Sequence, residues 1–381
     1  MEAQSFRATE IASVLVIAIV VGIIAPLQPL LLGSLLSEGR INGATMGLAA
    51  TVEGLGIVLA TAIGGAWQSP ERLRGIAAIA IASGLAANVM TILLPASGIV
   101  VARGIAGVSN GVLLWLFLCL LARSELPTRI FGYFVAGNST LTFLISLVLG
   151  KFAIARFGAD AGYFILVGFY ILLLAAVRFL PRAYVRIAGG TGTAMPPPLG
   201  VAGLVGICLS MMGVFAFWIY SIPLGQQSGI PINTMQFVVG IATGAQILAG
   251  VAAITLAARL NATRVVLFTT AMELIAVGVT LTGDSASLWI PALLAFAFCW
   301  FFSLPFHIAF SIDADPTRRA AVFAGTAQLL GVALGPLLAS LVISPADYSP
   351  ARLASICCFA AVLLIAAVVW MRKVQKAPNG G

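Results

Sequence analysis

The chain has 381 residues, of which 61% are hydrophobic and 8% charged, with 20 Lys and Arg against 12 Asp and Glu for a net charge of +8. A soluble domain carries about a quarter charged residues, so this composition excludes an ordinary water-solvated surface. Its continuous apolar runs are of roughly the 20-residue length that spans a bilayer core, and they lack the short apolar–polar alternation of a membrane β-barrel.

Such runs predict helices, because a segment in lipid must satisfy its own backbone hydrogen bonds. The predicted class is an all-α polytopic membrane protein with twelve spans, at 10–36, 43–67, 73–94, 98–122, 129–152, 159–180, 199–224, 233–258, 264–282, 287–312, 318–343 and 349–371. The first run follows Arg7 but is too long for a signal-peptide core and lacks a small-residue cleavage site, so a retained helix is expected. It contains Pro26, Gln28 and Pro29, and the second run contains Glu53. The loop after it carries Arg72 and Arg74. The fourth run holds Arg103, Gly107, Gly111 and Trp115. The seventh holds Phe215, Phe217, Trp218, Tyr220 and Pro223, and the loop between the eighth and ninth carries Arg259 and Arg264. Glu273 sits in the ninth run, Trp300, Phe301 and the only histidine, His307, in the tenth, and Gly331, Gly335 and Pro336 in the eleventh. Glycines four apart share a helix face and permit close helix approach.

A longer segment, 181–198, contains Gly189-Gly190-Thr191-Gly192 and three consecutive prolines, Pro196 to Pro198. It reads as a cytoplasmic tether between an N-terminal six-helix bundle, 1–180, and a C-terminal one, 199–381, with a short tail. Pro127-Thr128-Arg129 and Pro316-Thr317-Arg318 echo each other at an offset of 189 residues, which points to an internal duplication. With the N-terminus inside, Lys and Arg divide fifteen to four in favour of the cytoplasmic side, with Arg103 inside a helix. The positive-inside rule therefore places both termini in the cytoplasm, in a plasma (inner) membrane. The positive charge is accounted for by topology and contact with anionic lipid, and gives no reason to expect nucleic-acid binding.

The five cysteines lie in apolar runs without metal-ligand spacing, so neither a disulfide framework nor a metal site is expected. No nucleotide-binding loop or nucleophile–base constellation stands out, and no enzyme activity or cofactor is expected.

The chain resembles the major facilitator superfamily of transporters along nearly its whole length. The stretch Gly64-Gly65-Ala66-Trp67-Gln68-Ser69-Pro70-Glu71-Arg72 resembles the family's glycine–acid–base loop, with Gln68 where an Asp is usual. Ala258-Arg259-Leu260-Asn261 with Arg264 stands in the equivalent loop of the second half, again without the acid. Arg103, Gly107 and Gly111 match the family's Arg-x-x-x-Gly-x-x-x-Gly pattern. The glycine run ending in Gly-Pro that marks exporters in the fifth helix is missing there, and a similar pattern appears in the eleventh. The resemblance implies a monomeric secondary transporter working by alternating access, with helices one, four, seven and ten around a cavity. It makes Arg72, Arg74, Arg259 and Arg264 candidate gating residues.

Ionisable residues within spans are costly and mark pathways or partners. Arg103 needs a carboxylate or an anionic solute, and Glu53 is its natural intramolecular partner. Glu53, Glu273 and His307 are candidate proton carriers, each with a purely structural reading beside it. Asp313 and Asp315, close to Arg318 and Arg319, are expected to form a cytoplasmic loop network with them. Aromatic residues with a few polar groups line pockets for small organic molecules, so Gln28, Trp115, Trp218, Tyr220, Trp300 and Phe301 join Arg103 as candidate substrate contacts. The expected function is transport of a small organic solute, aromatic or anionic, coupled to protons. A multidrug or metabolite exporter of the same fold and a non-transporting membrane sensor or scaffold are the alternatives.

Overall fold

The computed structural model describes residues 6–67, 71–184, 195–257, 259–282 and 286–376, and among them no strand occurs. Among the described residues, twelve helices are long and apolar enough to cross a membrane. They are α1 (Ala8–Ser37), α2 (Gly43–Gly64), α3 (Leu73–Leu93), α4 (Ala96–Leu121), α5 (Arg129–Phe157) and α6 (Asp160–Phe179), followed by α7 (Pro198–Trp218), α8 (Ile232–Leu256), α9 (Ala262–Thr282), α10 (Ala286–Ala314), α11 (Arg319–Val342) and α12 (Pro350–Lys373). Each coincides with one predicted run. Gln68, Ser69, Pro70 and Ala258, four residues of the family-like loops, lie outside the described residues.

The departures from the predicted spans have local causes. Proline lacks an N–H and its ring collides with the carbonyl four residues back. α1 is accordingly two helical pieces, Ala8–Gly22 and Ile24–Ser37, which part just before Pro26. The seventh run, expected to reach residue 224, stops at Trp218, and a separate two-turn helix Ser221–Gln227 carries Pro223. Pro291, Pro305 and Pro336 sit inside continuous helices. α5 runs through a π-helical turn, Leu149–Ala153, and ends where Gly158 adopts a positive φ of 72°.

The chain divides into two compact units, Met1–Gly189 and Gly190–Gly381. In the first unit α2 lies directly on α4. A Cβ on Gly107 would strike the Glu53 carbonyl, one on Gly111 would come within 2.6 Å of the Ile57 carbonyl, and one on Gly56 within 2.8 Å of the Val108 nitrogen. In the second unit Gly331 and Gly335 bring α11 onto α7, where added Cβ atoms would meet the Cys208 and Met212 carbonyls. Val14, Ile17, Leu113, Phe117 and Tyr170 belong to the core of the first unit, and Ile207, Phe302, Phe306, Phe310 and Val362 to that of the second. The five cysteines are free thiols.

A candidate functional site in the first unit

Gly107 lies one turn below Arg103 on α4, and its missing side chain lets the α2 backbone at Glu53 come close. The result is a buried ion pair: Arg103 Nη1 stands 3.4 Å from Glu53 Oε1, with the two side chains 1% and 2% exposed. Arg103 enters seven residues into α4, about 10 Å along the helix at 1.5 Å per residue. The short turn at Leu94 and Pro95 sets α4 beside the end of α3, and α3 supplies most of the guanidinium's partners. Arg103 Nε donates to Thr91 Oγ1 at 3.1 Å, and Nη2 donates to Asn88 Oδ1 at 3.0 Å and to the Ala87 carbonyl at 3.3 Å. Asn88 and Thr91 are three residues apart, the spacing that puts two side chains on one helix face. The Arg103 Cζ atom lies over the Tyr163 ring of α6, 5.1 Å from its centroid.

Glu53 has a second neighbour, since Gln28 Nε2 of α1 donates to Glu53 Oε2 at 3.4 Å. Gln28 Oε1 and the Tyr163 hydroxyl are buried and have no hydrogen-bond partner among the described residues. Beyond Thr91 the cluster reaches the rim of the unit. Arg40 pairs with Asp160 and donates from Nη2 to the carbonyls of Thr91 and Ile92 at 2.8 and 2.6 Å, capping the end of α3. Glu38 Oε1 accepts from the Ala159 N–H at 2.6 Å, next to the start of α6. Arg40, an outer-loop charge in the sequence, is therefore also a structural brace.

The structure brings Arg103, Glu53 and Gln28 together and sets other candidates elsewhere. Trp115 packs in the core of the first unit with its ring against Gly64. Arg74 donates from Nε to the Leu180 carbonyl at 2.9 Å, and Arg264 lies over the Trp370 ring at 4.6 Å, while Arg72 and Arg259 are exposed. In the second unit Trp300 is ringed by Phe215, Trp218 and Phe301, with centroids 5.1, 5.6 and 5.0 Å away. Trp218 and Tyr220 are fully buried, Phe301 is partly so, and Tyr220 faces Tyr348. The Trp300 indole N–H has no partner among the described residues. Glu273 is buried on α9, and neither carboxyl oxygen has a hydrogen-bond partner among the described residues. His307 is buried on α10, and Gln328 Nε2 sits 3.1 Å from its Nδ1 and 3.2 Å from the Leu304 carbonyl. An amide that donates to Nδ1 leaves the ring proton on Nε2.

Each acid at the end of α10 has its own set of loop contacts, and for Asp315 these include the Arg319 backbone N–H, with the Arg318 N–H donating to the Asp315 carbonyl at 2.9 Å. Asp313 pairs with Lys373 at 2.6 Å and accepts from Thr263 at 2.7 Å. Asp315 accepts from the Thr317 N–H and hydroxyl and from the Ala320 N–H, capping the start of α11. Burial alone would raise the Asp315 carboxyl, but those hydrogen bonds outweigh it and hold the group below its ordinary value. Arg352, another outer-loop charge in the sequence, is buried, donating to the Leu224 carbonyl and Ser228 Oγ and lying over the Trp289 ring.

No protein-family model and no curated sequence matches the chain. Solved structures do. The nucleoside transporter NupG superposes with a TM-score of 0.71 at 11% identity, covering 97% of this chain and 100% of that one. A bacterial homologue of the human lysosomal transporter Spinster gives 0.71 at 11% identity over 97% and 98% of the two chains. A D-xylose–proton symporter gives 0.67 at 14% identity over 95% and 97%. The fold is that of the major facilitator superfamily. With twelve apolar helices in this fold, the chain is an integral, multi-pass membrane protein. Major facilitator structures this distant in sequence establish the architecture, and the cargo has to be argued from the chain's own residues.

Asn88, Thr91 and Tyr163 are the members of the cluster that sequence reasoning misses. They are neutral residues in apolar runs, so the scarcity of charge that exposes Arg103 and Glu53 is silent about them. A signal is present nonetheless. An intramembrane arginine has five N–H donors to satisfy, and one carboxylate cannot meet all of them.

Proposed function

We propose that the protein is a secondary transporter that moves a small organic solute by alternating access, coupled to protons. One observation carries the reading: a charged pair, Arg103 and Glu53, is maintained in a membrane span where two apolar residues would be cheaper to bury. Replacing a buried ion pair by packed apolar groups is often neutral or stabilising, so retention of this pair favours a working role. Glu53 is the group to carry the proton, and Arg103 is the fixed cation that balances it or holds an anionic solute. Gln28, adjacent to Glu53, is the neutral polar contact of the same cluster. The aromatic group around Trp300, with Trp218, Tyr220 and Phe301, is the candidate surface for a planar or apolar part of the solute. Glu273 and His307 are secondary candidates for proton carriage. Trp115, Arg74 and Arg264 have packing or anchoring contacts that rank ahead of binding and gating, and Arg72 and Arg259 stay candidate gating residues.

The test is a solute panel on proteoliposomes with and without an imposed pH gradient. Uptake or efflux of at least one small organic solute that accelerates with the gradient is expected. Solute flux indifferent to the gradient would remove proton coupling, and absence of flux for every solute would favour a sensor.

A further inference from the structure

A buried arginine beside a buried glutamate invites the assumption that each holds the other in place. The distances around Arg103 argue otherwise. Three neutral acceptors on α3, Thr91 Oγ1, Asn88 Oδ1 and the Ala87 carbonyl, lie 3.0 to 3.3 Å from Nε and Nη2. Thr91 Oγ1 is oriented in turn by donating to the Ala87 carbonyl at 2.8 Å, and Asn88 Nδ2 donates to the Gly84 carbonyl at 2.8 Å. The acceptors are therefore fixed by the α3 backbone. The guanidinium carbon also lies over the Tyr163 ring, 5.1 Å from its centroid. Glu53 touches only Nη1, at 3.4 Å, and its other oxygen meets Gln28 at the same distance. Both contacts are at the long end for hydrogen bonds, and charge-assisted pairs are normally about 2.7–2.9 Å.

We infer that Arg103 is anchored to α3 by Asn88 and Thr91, and that Glu53 is the exchangeable member of the pair, free to take a proton or to yield Arg103 to another anion without releasing it. Asn88 and Thr91 are thus positioning residues that keep one cation in place through both states of Glu53. The inference rests on the proposed transport role for its meaning, and its geometry can be tested without any solute. The groups facing Glu53 are Arg103 from α4 and Gln28 from α1. Tyr163 lies across Arg103, and Arg40 with Asp160 form the next layer out. Among the described residues no second carboxylate stands in hydrogen-bond contact with Arg103 to take over from Glu53.

The experiment uses the full chain in liposomes, in wild-type form and as Glu53→Gln, Thr91→Val, Thr91→Ser and Asn88→Leu/Thr91→Val. Thermal unfolding is followed by tryptophan fluorescence. Infrared difference spectra over a pH series locate the Glu53 carboxyl as the C=O band that Glu53→Gln removes. Glu53→Gln is expected to shift the unfolding midpoint less than Asn88→Leu/Thr91→Val does. The titration midpoint of the Glu53 band is expected to move in Thr91→Val, because a loosened Arg103 changes its distance from Glu53, and to return in Thr91→Ser, which restores the hydroxyl. Should the double variant not fold, Thr91→Val, nearly isosteric with threonine, carries both comparisons. Glu53→Gln shifting the unfolding midpoint as much as the α3 variants would overturn the inference. So would a Glu53 band that titrates alike in Thr91→Val and wild type. Failure of proton-coupled flux with these two results intact would instead overturn the transport reading alone.

Discussion

Arg103 is a residue for which lysine is no substitute. An ammonium presents a point charge on a flexible stem, whereas the guanidinium fork meets Thr91, Asn88, Ala87 and Glu53 from fixed directions. Arg103→Lys is expected to lower proton-driven flux by at least about tenfold, given about 1.5–3 kcal/mol for each charged hydrogen bond lost, and Arg103→Ala is expected to abolish it. Initial rates in proteoliposomes check both. Glu53→Gln is expected to leave exchange of solute down its own gradient while removing acceleration by an inward pH gradient. Flux in that variant that still follows the gradient would assign proton carriage elsewhere, with Glu273 next in line. A different carboxylate supplies a stability test. Asp315 is held below its ordinary value of 3.8 by the α11 cap, so its stabilising effect is complete above that pH and is lost as the pH falls below it. Asp315→Ala should therefore unfold at a lower temperature than wild type at neutral pH, and the gap should close in acid. Arg103, Glu53 and Gln28 are legible in the sequence because charge and amide groups are conspicuous in apolar runs. Asn88, Thr91 and Tyr163 are not, since neutral polar side chains in a span have many ordinary uses.

At the level of helices, the approach of α2 to α4 determines whether the charged cluster can form at all. Gly107→Val would drive a branched side chain into the backbone at Glu53, an overpacking that costs about 1–3 kcal/mol and sometimes more. It should lower the unfolding temperature and displace Glu53, abolishing gradient-driven flux. Gly168, exposed on α6 where an added Cβ would meet nothing within 4 Å, is the matched control. Gly168→Ala should be neutral or stabilising by up to about 1 kcal/mol, because alanine is the better helix former. Hydropathy locates all twelve spans, since length and apolarity are one-dimensional properties. It does not locate the break in α1, the separate helix Ser221–Gln227 or the π-turn of α5. Proline flags the first two, but whether a helix bends around a proline or stops before it depends on what packs there, as the unbroken α10 with Pro291 and Pro305 illustrates.

For the molecule as a whole, the Lys and Arg bias predicts that the loop 343–349 between α11 and α12 is outside and the C-terminus inside. In a background lacking the five native cysteines, a cysteine at Ser344 should react with a membrane-impermeant maleimide added to intact cells. One at Lys376 should react only after permeabilisation, and the opposite pattern would invert the topology. The 189-residue echo in the sequence invites a comparison of the two halves. An offset of 189 residues carries Arg103 to Ala292 and Glu53 to Ala242, both buried. Where the first unit keeps a cation and an acid, the second has methyl groups, and its polar exceptions, Glu273 and His307, stand at positions of their own. The anchoring of Arg103 to α3 then has an electrical consequence. In the proposed cycle, a neutral Glu53 would leave the first unit with the uncompensated positive charge of Arg103 within the membrane field, and deprotonation would cancel it. An elementary charge crossing the full field exchanges about 2.3 kcal/mol per 100 mV, so membrane voltage, as well as pH, would weight the two states of the protein.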